Sequence, residues 1–340
     1  MTPKVLARAP GRVNLIGDHT DYTGGLVFPM AIDRHTEIEL DRGVPWIELV
    51  SADEPEAAIV FLDEPVDPST IQPPWARYVA GVAHVLQAET GGRGFVRTTI
   101  PIGAGLSSSA ALEVATALAL GFEGSALDLA LACQRAEQVA SGVPCGIMDQ
   151  LASAAAVEGH ALLIDCRTLD HEPVRLPDDV QVVVVDSGQR RSLTTSFYGV
   201  RRAQCEEAEV LVGPLRDATL DDVEGIAHDD LRRRARHVVT ENQRVRDFAD
   251  AVRAGDLRSA GELMVASHQS LRDDFEVSTS VLDELVEELV AVPGVHGARV
   301  TGAGFGGCCV ALAERGVEIE LGADAWVVEA SAGAAVQTLS

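Results

Sequence analysis

The chain has 340 residues, 46% of them hydrophobic, with 27 basic against 52 acidic side chains and a formal net charge of −25. That length suits two domains or one large one, no apolar run is long enough to cross a bilayer, and so acidic a surface repels nucleic acid and anionic membranes at long range. The six Cys form no C-x-x-C pair and no N-terminal stretch reads as an export signal, so neither a disulfide framework nor a zinc site is expected and a reducing cytoplasm is.

In chain order, LARAP, VNLIG and LVFPMAIDRHTEIEL predict short strands, with a polar glycine-rich loop, Gly11 to Gly25, among them. Residues 52 to 74 are rich in Pro, Asp and Glu and predict a loop-rich insertion. PWARYVAGVAHVLQAE, from Pro74, has apolar residues at helical spacing. RGFVRTTIPIGAGLSSSAALEVATALALGF then predicts a strand, a glycine-and-serine loop and a helix beginning near Leu106. SALDLALACQRAEQVASG starts another helix, with Ser125 and Asp128 spaced as a capping box. HALLIDC and VQVVVVDSG predict buried strands. Residues 195 to 292 are helical in pattern, and GARVTGAGFGGCCVALAE and DAWVVEAS return to strands. The mixture predicts an α+β protein of two lobes with a cleft between them, divided near residue 180.

Three glycine-rich stretches stand out besides the opening loop. In PIGAGLSSSAALEV, small residues let the backbone approach an anion, and a helix N-terminus offers free N–H groups; a tight strand-to-helix turn is the plain alternative. A P-loop or a protein kinase places a Lys on the phosphates, and the only Lys here, Lys4, sits in neither setting, so ATP chemistry needs another architecture. TGAGFGG matches G-x-G-x-x-G by count, but the strand-like CCVALA follows where a dinucleotide fold needs a helix. It predicts a close-packed loop bordering a site, or a turn. SGVPCGIMDQLAS ends a helix and carries Asp149, by spacing alone a cap or turn former. In the opening loop, Arg12, Asp18, His19 and Asp21 either pair with one another or face a sugar, because carboxylates accept hydrogen bonds from several hydroxyls at once.

Taken together, GRVNLIGDHTDYTGG, PIGAGLSSSAALEV and TGAGFGGC resemble the three motifs of the galactokinases, a branch of the GHMP small-molecule kinases. GIMDQLAS, HALLIDCRTL, RRAQCEEAE, RRARHVVTENQRV and SHQSLRDDFEVS extend the similarity nearly end to end. The resemblance implies a two-lobed GHMP kinase fold: an N-terminal lobe of mixed sheet and helices over 1–180, and a C-terminal lobe of helices and sheet over 181–340, with the active site in the cleft. It implies ATP with Mg²⁺ and phosphorylation of the anomeric hydroxyl of a sugar, D-galactose first among the candidates. Another sugar such as N-acetylgalactosamine or arabinose, or a silent sugar and nucleotide sensor, are the alternatives. A cytoplasmic monomer or weak homo-oligomer is expected.

Residue by residue, the resemblance makes Asp149 the catalytic Asp and Arg12 the Arg beside it that stabilises the attacking oxygen. Asp18, His19, Asp21, Gly146 and Tyr198 fall on sugar-contacting positions. Gly103, Gly105, Ser107, Ser108 and Ser109 fall on the phosphate loop, and Trp75 near the adenine. Ser109 and Glu137 fall on Mg²⁺-holding positions. Three departures accompany it. Asp18 stands where the signature usually has Glu; Gln189 to Arg191 differ from the usual residues; and only AERGVEIELGA separates the third motif from the last strand, leaving no room for the usual helix.

Overall fold

The computed structural model describes residues 4–63, 67–190, 194–320 and 324–339. Among these, the largest sheet has the order β13-β1-β3-β6-β4-β5. Its strands are β1 (Lys4–Asn14), β3 (Pro29–Val44), β4 (Trp46–Ser51), β5 (Ala58–Phe61), β6 (Gly91–Thr98) and β13 (Ala335–Leu339). LARAP and VNLIG are thus one continuous strand up to Asn14, and β5 lies inside the stretch expected to be loop. The β1–β3 ladder slips between Pro10 and Arg12, a bulge that alters the pairing just before the polar loop.

Helices α1 (Ala76–Leu86), α2 (Ser108–Ala119), α3 (Ala126–Ser141) and α4 (Met148–Ala155) gather around the first sheet. In α2 every position except Ser108, Ser109 and Leu118 is buried, as its run of Ala and Leu requires. Ser125 and Asp128 form the expected capping box of α3, and Gly142 ends that helix in the left-handed region. Beyond it, α4 begins as a separate helix, so Asp149 sits in a helical first turn instead of a terminal cap. A small sheet, β2-β7-β8, comprises β2 (Leu26–Val27), β7 (His160–Asp165) and β8 (His171–Arg175).

The second half supplies another sheet, β10-β11-β9-β12. Its strands are β9 (Val180–Asp186), β10 (Val295–Val300), β11 (Cys308–Glu314) and β12 (Ala325–Val328). VQVVVVD is buried at all seven positions, as its four consecutive valines predict for an interior strand. Against this sheet and one another lie α5 (Thr194–Val212), α6 (Leu220–Glu224), α7 (Asp229–Ala254), α8 (Leu257–Asp273) and α9 (Ser280–Ala291). Between β11 and β12 no helix occurs among the described residues. After β12 the chain crosses back, and β13 pairs antiparallel with β1. The architecture is the expected α+β, and all six Cys are free thiols. No helix among the described residues is long and apolar enough to cross a membrane.

Candidate active site

A cavity of about 800 Å³ opens where the polar loop, the first turns of α2 and α4, and the loop before β11 converge. Arg12, Asp18, His19, Asp21, Gly146, Asp149 and Tyr198 all line it. So do Trp75, Gly103, Gly105, Ser107, Ser108, Ser109 and Glu137. Every residue to which the resemblance gave a site role therefore borders one space, although they span positions 12 to 198.

At its centre, Arg12 leaves β1 and meets Asp149 on α4. The guanidinium donates from Nε to Oδ1 at 2.8 Å and from Nη2 to Oδ2 at 2.7 Å, a two-pronged pair. Its third nitrogen, Nη1, donates to the Gly105 carbonyl at 2.8 Å. One side chain thus fixes the distance between the acid and the glycine-serine loop. The Ser107 hydroxyl also donates to Asp149 Oδ2. Arg12 is 6% exposed at its side chain and Asp149 28%, so the cation is enclosed while the carboxylate keeps an open face.

The loop before α2 has a strained, anion-accommodating shape. Gly103, Gly105 and Ser107 all lie in the left-handed region, with φ of 79°, 85° and 60°. Alternation of that kind turns backbone amides inward. Ser107 is the N-cap of α2, yet its side chain makes no cap bond and goes to Asp149. The amides at the start of α2 are left to another acceptor.

Two more acids lie close. Asp21 is pushed up to about 7, first by burial and then by the nearby charge of Asp149. A Cβ on Gly146 would fall 1.8 Å from Asp21 Oδ2, so only glycine lets the two segments meet this closely. Glu137 on α3 is likewise pushed up to about 7 by burial and then Asp149. Its Oε1 accepts from the Ser109 hydroxyl at 3.2 Å.

Asp18 and His19 are tied down from behind. Asp18 Oδ2 lies 2.7 Å from Arg299 Nη2, and Oδ1 accepts from the Gly302 amide at 3.1 Å. Burial pushes its carboxyl up, while Arg299 and Arg12 pull against that. Behind it, Glu241 on α7 accepts from the Gly17 amide at 2.9 Å and from Arg244 Nε at 2.6 Å. Burial alone raises Glu241, but Arg244, His237 and Arg299 overcome it and take the carboxyl down to about 2. His19 Nε2 is 3.3 Å from the Ala303 carbonyl and Nδ1 is 3.0 Å from the Tyr22 hydroxyl. A carbonyl can only accept, so the proton sits on Nε2 and Tyr22 donates to Nδ1. Burial, and then His237, lowers His19 to about 3, so the ring is neutral.

Spacing gave the supports no role, although RRARHVVTENQRV, which carries His237 and Glu241, is one of the stretches of family resemblance. Arg299, Glu241 and His237 lie over 200 positions from the loop they brace, and only the fold brings them there. Arg190, within the departing Gln189–Arg191 stretch, also lines the cavity, 70% exposed with Ile102 O at 3.4 Å; Arg191 lies outside the described residues. Gly302 and Ala303 place the third glycine motif at the cavity edge, the bordering loop the sequence predicted.

The galactokinase galactose-binding signature matches residues 1–42, the GHMP kinase N-terminal domain 77–156 and the GHMP kinase C-terminal domain 248–330. A galactokinase of Bos taurus is 46% identical over 335 residues, covering 92% of this chain and 84% of its own. The chain belongs to the galactokinase family. Another member, from Chloroflexus aggregans (strain MD-66 / DSM 9485), is 45% identical over 362 residues, covering 99% of this chain and 89% of its own. In three dimensions, Lactococcus lactis galactokinase complexed with galactose superposes with a TM-score of 0.89 at 33% identity, over 98% of this chain and 95% of that one. The fold is that of the GHMP kinases, as the family resemblance implied.

Proposed function

We propose that the chain is an ATP-dependent sugar 1-kinase that phosphorylates the anomeric hydroxyl of D-galactose. The observation that carries this reading is the Arg12–Asp149 pair, joined through Gly105 to the phosphate loop. It supports the transfer because phosphoryl chemistry asks a protein mainly to align nucleophile and donor and to balance charge.

In this reading, the open face of Asp149 accepts the hydrogen bond of the anomeric hydroxyl and takes its proton as the oxygen attacks. Arg12 and Ser107 fix the carboxylate's direction. The left-handed turns at Gly103, Gly105 and Ser107 and the N-terminus of α2 hold the triphosphate, doing what a Lys does in other kinases. Trp75 flanks the adenine end. Asp21, Gly146 and Tyr198 form the sugar wall, with Asp18 and His19 completing it from positions fixed by Arg299, Gly302 and Tyr22. The first 180 residues form the N-terminal unit that carries both loops; residues 181–340 form the other, and their last strand returns to the first sheet.

Ser109 and Glu137 suit a magnesium ion. They offer a hydroxyl and a carboxylate, the oxygen ligands that a hard cation takes, and Glu137 is half-buried on the cavity wall beside Ser109. When bound, Mg²⁺ neutralises charge on the phosphates being separated.

A panel of sugars with ATP, read by coupled ADP release, tests the reading. Galactose should give the highest kcat/KM. Faster turnover of N-acetylgalactosamine or arabinose, or none with any sugar, contradicts it.

A further inference from the structure

Behind the proposed magnesium position lies a buried pair that the mechanism above does not use. Gln150 follows Asp149 on α4, and Glu113 lies on α2, one turn beyond Ser109. Both are fully buried. The Gln150 Nε2 amide donates to Glu113 Oε2 at 3.0 Å and to Glu137 Oε2 at 2.5 Å. Among the described residues Glu113 has no ion-pair partner, and its Oε1, like Gln150 Oε1, makes no hydrogen bond. Packing does not explain such a pair, since two apolar side chains there would avoid the cost of burying unpaired polar atoms.

We infer that Gln150, with Glu113 behind it, is a positioning bracket that fixes the Glu137 carboxylate in the direction needed to hold the divalent cation. Ser109 donates to one oxygen of Glu137 and Gln150 to the other, so the carboxylate is held from both sides. Glu113 accepts from the same amide and so sets the plane of Gln150. The bracket joins three helices: α2 with the phosphate loop, α3 with Glu137, and α4 with Asp149. It thereby registers metal, phosphate and acid against one another. Partners of this kind, one step from a ligand, typically change metal affinity by about 10- to 100-fold when lost.

This inference rests on the kinase reading above, and its test separates the two. Binding of Mn²⁺ to the ADP complex is followed by electron paramagnetic resonance, and the Mg²⁺ dependence of turnover alongside it. Gln150→Met, which keeps the shape and removes the donor, should raise the Mn²⁺ dissociation constant and the half-saturating Mg²⁺ by about tenfold. Galactose affinity should stay within about twofold, a split that general loosening of the fold would not give. Glu113→Leu should move the same readouts in the same direction, whereas Glu113→Gln, which retains an acceptor oxygen, should stay within about twofold of wild type. If Gln150→Met does not fold, Gln150→Asn is used, its amide too short to span both carboxylates. Unchanged cation affinity in the Gln150 variant, or Glu113→Gln as impaired as Glu113→Leu, overturns the bracket. Wild-type protein that binds Mn²⁺ with ADP yet phosphorylates no galactose refutes the sugar reading alone, because the cation isotherms still decide the bracket.

Discussion

Gly146→Ala places a methyl group where the structure has Asp21. The new Cβ would lie 1.8 Å from Asp21 Oδ2 and 2.3 Å from its Cγ, against the 3.0 Å that Cβ contacts essentially never go below. The gap to be opened is therefore at least 3.0 − 1.8 = 1.2 Å. The loop or the Asp21 carboxylate must move by about that distance within the proposed sugar wall. A displacement of that size at a reacting centre costs on the order of 10²-fold, or about 2.7 kcal/mol of transition-state stabilisation. Steady-state kinetics by coupled ADP release should show kcat/KM for galactose falling by that order, with KM for ATP within about twofold, because the phosphate loop is untouched. A kcat/KM for galactose within about twofold of wild type refutes the claim that Gly146 and Asp21 form one sugar wall.

The other residues make narrower tests. Asp149→Asn should leave ATP binding intact, by calorimetry, and cut turnover by about 10²-fold or more; unchanged turnover removes Asp149 from the mechanism. Asp18→Glu should be tolerated or lower KM for galactose, and a tenfold rise says that the pocket is built for the shorter side chain. Arg299→Met leaves Asp18 and Glu241 buried without their shared cation and should destabilise the fold by about 3–5 kcal/mol in denaturant melts. Asp21 gives a pH test. Its carboxyl is raised in the folded protein from 3.8 to about 7, so the folded state binds the proton more tightly than the unfolded chain. Its ionisation therefore costs stability progressively from about pH 4 to about pH 7. Without ligand, the Tm of Asp21→Asn minus that of wild type should grow across this window and level off above it; a difference that is flat or shrinks with pH contradicts the raised carboxyl of Asp21 beside Asp149.

Much of the site was legible because its chemistry is carried by short contiguous loops. Three stretches, around Arg12, Ser107 and Asp149, already contain the proposed catalytic carboxylate, the cation paired with it and the proposed phosphate-loop residues. Local signals also placed the capping box of α3 and the interior strand β9, since both depend only on near neighbours. Spacing failed where distant contacts decide. Asp149 read as a cap because nothing local marks the start of α4, a helix whose N-cap makes no side-chain bond. β5 read as loop because its four residues sit among Pro, Asp and Glu, and its strand form depends on pairing with β4. Glu113 read as part of an apolar helix, and only the approach of α4 gives it a partner. The return of β13 to β1 had no periodic signal, since most of its side chains are exposed.

In the proposed reaction, the Asp149 carboxylate at the mouth of the serine loop directs a phosphoryl group onto the anomeric oxygen of galactose. Proton-coupled phosphorus resonance spectra of the product from galactose and ATP test it most directly. The account requires the new phosphorus to couple to the anomeric proton, as in a sugar 1-phosphate. Coupling to the exocyclic methylene protons, or no sugar phosphate while ATP is hydrolysed, contradicts it.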